Sequence, residues 1–257
     1  MTIMYYRPTK LEEAVALLED RDRNLRPMGG GTRLKHEQAG LSGVVDLQSL
    51  NLNYLINEGG WYKAGATLSL ATLLTHEGIQ SEIKRAVQVD AQQDLIDAAT
   101  IGGWLVSSDG RSIFTTVLLA LDAKLTWEPG GTEIQLGDWL PIRYVESPGI
   151  LITEIGWRDD LQLAFEYVAR SPKDRPLVIV AVARWNSGRT RVALGGFGNS
   201  PIMAMDGPES GGADVASRAA YYDAEDQWAT AQYRREVVAK LALRCVDRLN
   251  QEQESEA

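Results

Sequence analysis

Two glycine-rich turns constrain what this chain can fold into. The first is Arg26-Pro27-Met28-Gly29-Gly30-Gly31-Thr32-Arg33-Leu34, and the second is Thr100-Ile101-Gly102-Gly103-Trp104. Each follows an apolar stretch, and the first directly precedes a segment able to start a helix. Consecutive glycines carry no Cβ to block an approaching group, so their backbone N–H groups can converge on an anion. A helix N-terminus just beyond adds a partial positive charge. Two such turns facing each other predict a cleft for a diphosphate, and hence for a dinucleotide.

Other phosphate and metal signatures fail. The dinucleotide pattern GxGxxG is broken because Leu34 stands at its third glycine, and no GK[ST] occurs. His36-Glu37 and His76-Glu77 each begin like a zinc-protease helix, but Gly40 and Gln80 stand where the second histidine belongs. Both histidines are read as surface residues. With two histidines and one cysteine, the chain offers no metal site and no catalytic triad. Cys245 falls on the apolar side of a late helix and is expected to be a buried, inert thiol.

A formal charge of −9 argues against nucleic acid or an anionic membrane as partner, since both select a basic face. Arg21, Arg23 and Arg26, then Arg170, Lys173 and Arg175, then Arg189 and Arg191 form local basic clusters, each read as solvated surface. No basic segment followed by a long apolar run opens the chain, and no stretch approaches the ~18 apolar residues of a membrane span. The reading is therefore a cytoplasmic protein without membrane insertion.

The periodicity gives an irregular alternation of helices and antiparallel hairpins, so the fold class is α+β. Thr9-Lys10-Leu11-Glu12 reads as a capping box opening a helix that ends near Asp20. Strands are expected at 25–28, 43–47, 54–57, 61–64, 123–127 and 132–135, and helices at 69–76, 79–88 and 115–121. The segments 150–157, 162–168, 177–185 and 190–195 read as one antiparallel set. Residues 207–213 read as a flexible polar loop, 228–250 as a closing helix, and 251–257 as a frayed acidic tail.

Read together, the landmarks resemble the FAD-binding subunit or domain of molybdenum hydroxylases, as in aerobic carbon monoxide dehydrogenase and xanthine dehydrogenase. The resemblance rests on the two glycine turns, on 148–155, on Phe165-Glu166-Tyr167-Val168 with Arg170 and Asp174, on 192–196 with Asn199-Ser200-Pro201, and on Tyr233-Arg234. It implies the two-subdomain FAD-binding fold of the vanillyl-alcohol-oxidase (PCMH) type plus a small αβ C-terminal domain. The implied boundaries are subdomains at 1–56 and 57–160, a C-terminal domain at 161–250 and a tail at 251–257.

The resemblance also implies an oxidoreductase flavoprotein subunit with no catalytic acid or base of its own. Such a subunit passes electrons from partner iron–sulfur clusters through FAD to an external acceptor. Its expected partners are a large molybdopterin subunit and a small iron–sulfur subunit, in a homo- or hetero-oligomer. The implied FAD-binding residues are Gly29, Gly30, Gly31, Thr32, Arg33 and Leu34 from the first turn and Thr100, Ile101, Gly102, Gly103 and Trp104 from the second. Asp109 and Asp174 complete the set, and Arg33 is expected to add a direct contact to phosphate. The chain departs from the family at Trp104, where Asn is usual, at Ile113, where an acidic residue is common, and at Ile96, where Arg is frequent. A flavin-free structural or assembly subunit of the same family is the alternative that these departures hold open.

Overall fold

The computed structural model describes residues 3–34, 40–144 and 149–256, with side chains up to 254. His36 and Pro148 lie outside the described residues. The chain divides into two compact units that interleave along the sequence. One comprises 1–79, 91–107 and 124–157; the other comprises 80–90, 108–123 and 158–257. The stretches 80–90 and 108–123, expected with 57–160, thus pack with the C-terminal part.

The first unit contains two sheets. Strands β1 (Met4–Tyr6), β2 (Leu25–Met28) and β3 (Gly43–Asp46) form a parallel sheet in the order β1-β3-β2. Helix α1 (Leu11–Glu19) supplies the crossover from β1 and buries Ala14 and Val15, and Ala14 joins Leu25, Val45 and Leu47 in one apolar cluster. The expected capping box does not form. Lys10 is the N-cap and makes no side-chain cap, while the Thr9 amide donates to the Glu13 carboxylate at 3.4 Å. The N-cap thus falls one residue later than the capping-box pattern implies.

The second sheet has the order β4-β5-β8-β6-β7, from β4 (Leu55–Glu58), β5 (Trp61–Gly65), β6 (Lys124–Glu128), β7 (Thr132–Gln135) and β8 (Leu151–Arg158). Hairpins β4–β5 and β6–β7 are antiparallel, as expected of runs separated by glycine turns. In the core beneath β5, Tyr62 stacks on Trp157 with ring centroids 5.7 Å apart. Helix α2 (Leu70–Thr75) is capped by Ser69, whose Oγ accepts the Thr72 amide at 3.1 Å.

The second unit is a four-stranded antiparallel meander, β12-β11-β10-β9, between helices. Its strands are β9 (Leu161–Val168), β10 (Val178–Trp185), β11 (Thr190–Gly195) and β12 (Ile202–Gly207), and its helices are α3 (Ser81–Asp90), α5 (Ile113–Ala120), α7 (Ala213–Ala220) and α8 (Ala231–Glu256). Val178, Val180 and Val182 pack with Val192, Leu194 and the α8 residues Val238, Leu241, Cys245 and Leu249. Alternation turns Ile179, Ala181 and Ala183 to the opposite face, where every residue of α5 is buried. A strand buried on both faces reads as a continuous apolar run, as Val-Ile-Val-Ala-Val-Ala does.

Three expectations are corrected here. The 150–157 strand does not join the antiparallel set of the C-terminal part: as β8 it is the middle strand of the five-stranded sheet, and β12 takes the fourth place. Residues 251–256 are not frayed but continue α8, which runs 26 residues. Of the Arg189–Arg191 cluster, Arg189 keeps 39% of its side chain exposed but Arg191 is not solvated. Arg191 is buried, with its guanidinium 2.6 Å from Asp122 and 3.0 Å from Asp206.

Candidate functional site

Within the first unit the two glycine segments pack directly on each other. A Cβ added at Gly30 would lie 1.5 Å from the Ala98 carbonyl oxygen, and one at Gly29 would lie 2.5 Å from Thr100 Oγ1. No side chain fits at Gly30. Gly31 holds φ at +69°, in the left-handed region that favours glycine. These two constraints, close approach and positive φ, shape the first turn at the end of β2. The Gln48 side-chain amide donates to the Gly29 carbonyl at 2.9 Å and fixes its direction. Gln48 is a residue that sequence reasoning missed, and only its place just after β3 hinted at the contact.

The amides of the two segments differ. Among the described residues, the N–H groups of Gly29, Gly30, Gly31, Thr32 and Arg33 donate to no protein acceptor. Consecutive amides on a glycine turn that make no internal bond can converge on an anion. The second segment is the first turn of a helix, α4 (Ile101–Ser107), which sequence reasoning treated as a bare turn. Its Ile101 amide donates to Leu68 O at 2.9 Å, and its Gly102 amide donates to Ala66 O at 3.0 Å. The Gly103 amide faces Thr100 Oγ1 at 3.3 Å. Both segments were expected to offer main-chain amides to one ligand; in the structure the amides of Ile101 and Gly102 are committed inside the protein.

Trp104 is buried at 8% exposure, and the Arg33 guanidinium carbon lies 5.9 Å from its ring centroid. The side chains at the ends of the two motifs thus meet. Ile96 and Ile113 are buried apolar residues, in the first and second unit respectively.

Asp109 and Asp174 belong to the second unit, where each has a local partner. Burial pushes the Asp109 carboxyl up, but the Arg175 guanidinium and the Arg111 amide outweigh it and hold the group below the usual carboxylate range. Its two oxygens take both terminal nitrogens of Arg175. Asp174 lies 3.7 Å from Arg170. Both carboxylates therefore serve ion pairs of their own unit.

Arg234 is the buried group whose weight sequence reasoning missed. Fully enclosed, it donates to the carbonyls of Leu177, Ala224, Ala229 and Gly196 and to the Asp226 carboxylate. Burial pushes the Cys245 thiol up to about 12, consistent with an inert core residue. His76 is half-buried against the Tyr62 ring at 5.9 Å. Among the described residues no cluster of three metal-ligating side chains occurs, and no helix is long and apolar enough to cross a membrane.

Residues 1–156 match the family model described as the FAD binding domain in molybdopterin dehydrogenase. The uncharacterized protein YgfM of Escherichia coli K12 is 25% identical over 248 residues, covering 94% of each chain. Reconstituted CO dehydrogenase from Oligotropha carboxidovorans contains a similarly folded chain, with a TM-score of 0.83 at 23% identity over 96% of this chain and 97% of that one. Quinoline 2-oxidoreductase from Pseudomonas putida 86 contains another, with a TM-score of 0.81 at 19% identity over 98% of both. The fold is thus the PCMH-type FAD-binding architecture, with the C-terminal unit included.

Proposed function

Because this chain belongs to the family of the FAD binding domain in molybdopterin dehydrogenase, we propose that it is an electron-transfer flavin subunit of a molybdopterin-containing hydroxylase or dehydrogenase. The observation that carries this reading is the run of amides from Gly29 to Arg33 that find no acceptor among the described residues. The donor set fits the diphosphate of FAD. Oriented N–H dipoles and one guanidinium offset two phosphate charges without requiring a metal.

In this reading Gly29, Gly30, Gly31, Thr32, Arg33 and Leu34 hold the diphosphate. Thr100, Ile101, Gly102 and Gly103 act mainly as the surface on which that turn is set, and Trp104 bounds it. Bound there, FAD supplies an isoalloxazine ring that takes up electrons and hands them on. The chain's own residues bind and orient, and none is needed as acid or base. Asp109 and Asp174 keep a place in the proposal only through the loops they brace. Iron–sulfur clusters and molybdopterin belong to partner chains, a small and a large subunit, since one buried cysteine cannot ligate a cluster. The acceptor is external.

The test is reconstitution. The purified chain mixed with FAD and passed through a desalting column should emerge yellow, with one flavin per chain and a raised melting temperature. The flavin-free structural subunit remains the second reading, favoured by one specific observation: Ile101 and Gly102 already spend their amides on Leu68 and Ala66. A colourless eluate with no thermal shift decides for it.

A further inference from the structure

Arg33 is a cation of the first glycine motif. Its side chain is exposed, and among the described residues no carboxylate or carbonyl takes its guanidinium. What it does meet is Trp104, whose ring centroid lies 5.9 Å away. The two residues come from different motifs. Arg33 ends the run of uncommitted amides, and Trp104 sits one turn into α4, where its own amide donates to Thr100 O at 2.8 Å. The motifs are interlocked at Gly29–Thr100 and Gly30–Ala98, so the relative placement of the two side chains is set by the backbone.

We propose that Trp104 is a positioning residue that holds the Arg33 guanidinium over the amide turn, so that Arg33 and the amides together grip the diphosphate of the ligand. This inference deepens the flavin reading and rests on it for the identity of the ligand. The physical logic is pre-organisation. An exposed arginine samples many rotamers, and ordering it on binding weakens the contact it makes. A ring face that attracts the guanidinium limits that freedom beforehand while leaving its N–H edge available to oxygen. Trp104 thus contributes to ligand affinity through the cation it orients.

The chemistry required of the ligand is a diphosphate, which FAD and ADP share and riboflavin lacks. The experiment measures equilibrium affinity of the full chain for all three by titration, in wild type, Arg33→Gln, Trp104→Leu, Trp104→Phe and the double variant Arg33→Gln/Trp104→Leu. Melting temperatures of the ligand-free proteins are recorded alongside, so that a folding defect is seen separately. A charge-assisted hydrogen bond predicts that Arg33→Gln weakens FAD and ADP by roughly 10- to 100-fold. Trp104→Leu should cost about fivefold, Trp104→Phe should restore most of it, and the double variant should bind no worse than Arg33→Gln alone.

Additive losses in the double variant would overturn the positioning role, as would equal weakening of riboflavin. Unchanged affinity in Arg33→Gln would overturn the diphosphate contact itself. If wild type binds ADP with this dependence and refuses FAD, the flavin reading falls and the Arg33–Trp104 site stands. If wild type binds neither, both fall.

Discussion

At the scale of single residues, Gly30 is the position with least tolerance. Its missing Cβ would occupy the Ala98 carbonyl, 1.5 Å away, and neither backbone can yield without moving a motif. Gly30→Ala is expected to cost about 3 kcal/mol or more of stability and to abolish FAD uptake, read by chemical denaturation and by flavin absorbance. Asp122 shows a different constraint. It holds φ at +57° just past the end of α5, a place that suits glycine, yet its carboxylate meets Arg191 at 2.6 Å and Arg189 at 2.9 Å. Asp122→Gly suits the backbone and removes the carboxylate, leaving buried Arg191 with Asp206 and the Leu119 carbonyl. The expected outcome is a net loss of about 2–4 kcal/mol in urea unfolding, despite the easier φ. Neither Asp122 nor Arg191 was legible in the sequence as an ion pair. Their separation along the chain hides the contact, and an arginine near a hairpin turn looks solvated until the sheet is folded.

Among the elements, the amide turn and α4 make contrasting predictions for hydrogen exchange. Adding FAD should slow exchange at 29–33, whose N–H groups are uncommitted, and leave Ile101 and Gly102 nearly unchanged, since Leu68 and Ala66 already hold them. Equal slowing at both would contradict the division of roles. The loop ahead of α8 holds one of the acid-sensitive carboxylates of the second unit. Burial alone would raise the Asp226 carboxyl, but the Trp228 and Ala229 amides with Arg234 and Arg111 hold it at about 2. A carboxylate depressed in the folded state stabilises above its unfolded pKa, near 4, and loses that contribution as pH falls towards 2. Asp226→Asn should thus lower the melting temperature at pH 7, with the gap to wild type closing between about pH 4 and 2. The glycine motifs, the β10 run and α8 were readable because glycine pairs and apolar periodicity are local signals. The partner of β8 was not, because pairing in the five-stranded sheet is decided by contacts distant in sequence. Ile202–Gly207 was passed over as β12 because Met, Ala, Asp and Gly carry little strand preference and only the neighbouring β11 makes it a strand. The second glycine motif was seen, but its helical start was not, since two glycines early in a seven-residue helix argue locally for a turn.

For the whole molecule, charge and composition set the outer limits. A net charge of −9 predicts that at about 0.15 M salt, where charges are screened beyond roughly 8 Å, the chain neither cosediments with anionic vesicles nor retards duplex DNA. Binding of either at that salt would point to a basic surface that the bulk charge conceals. The two compact units each possess a core of their own, and the proposed diphosphate site draws all its direct donors from the first. The interlock of Gly30 with Ala98 bears on any attempt to re-engineer this protein. Segments 26–34 and 96–104 have no clearance between them, so neither can be exchanged for a homologous loop by itself. A chimera that imports one must import both, and the natural unit of transplantation is a pair of strips that the gene keeps far apart.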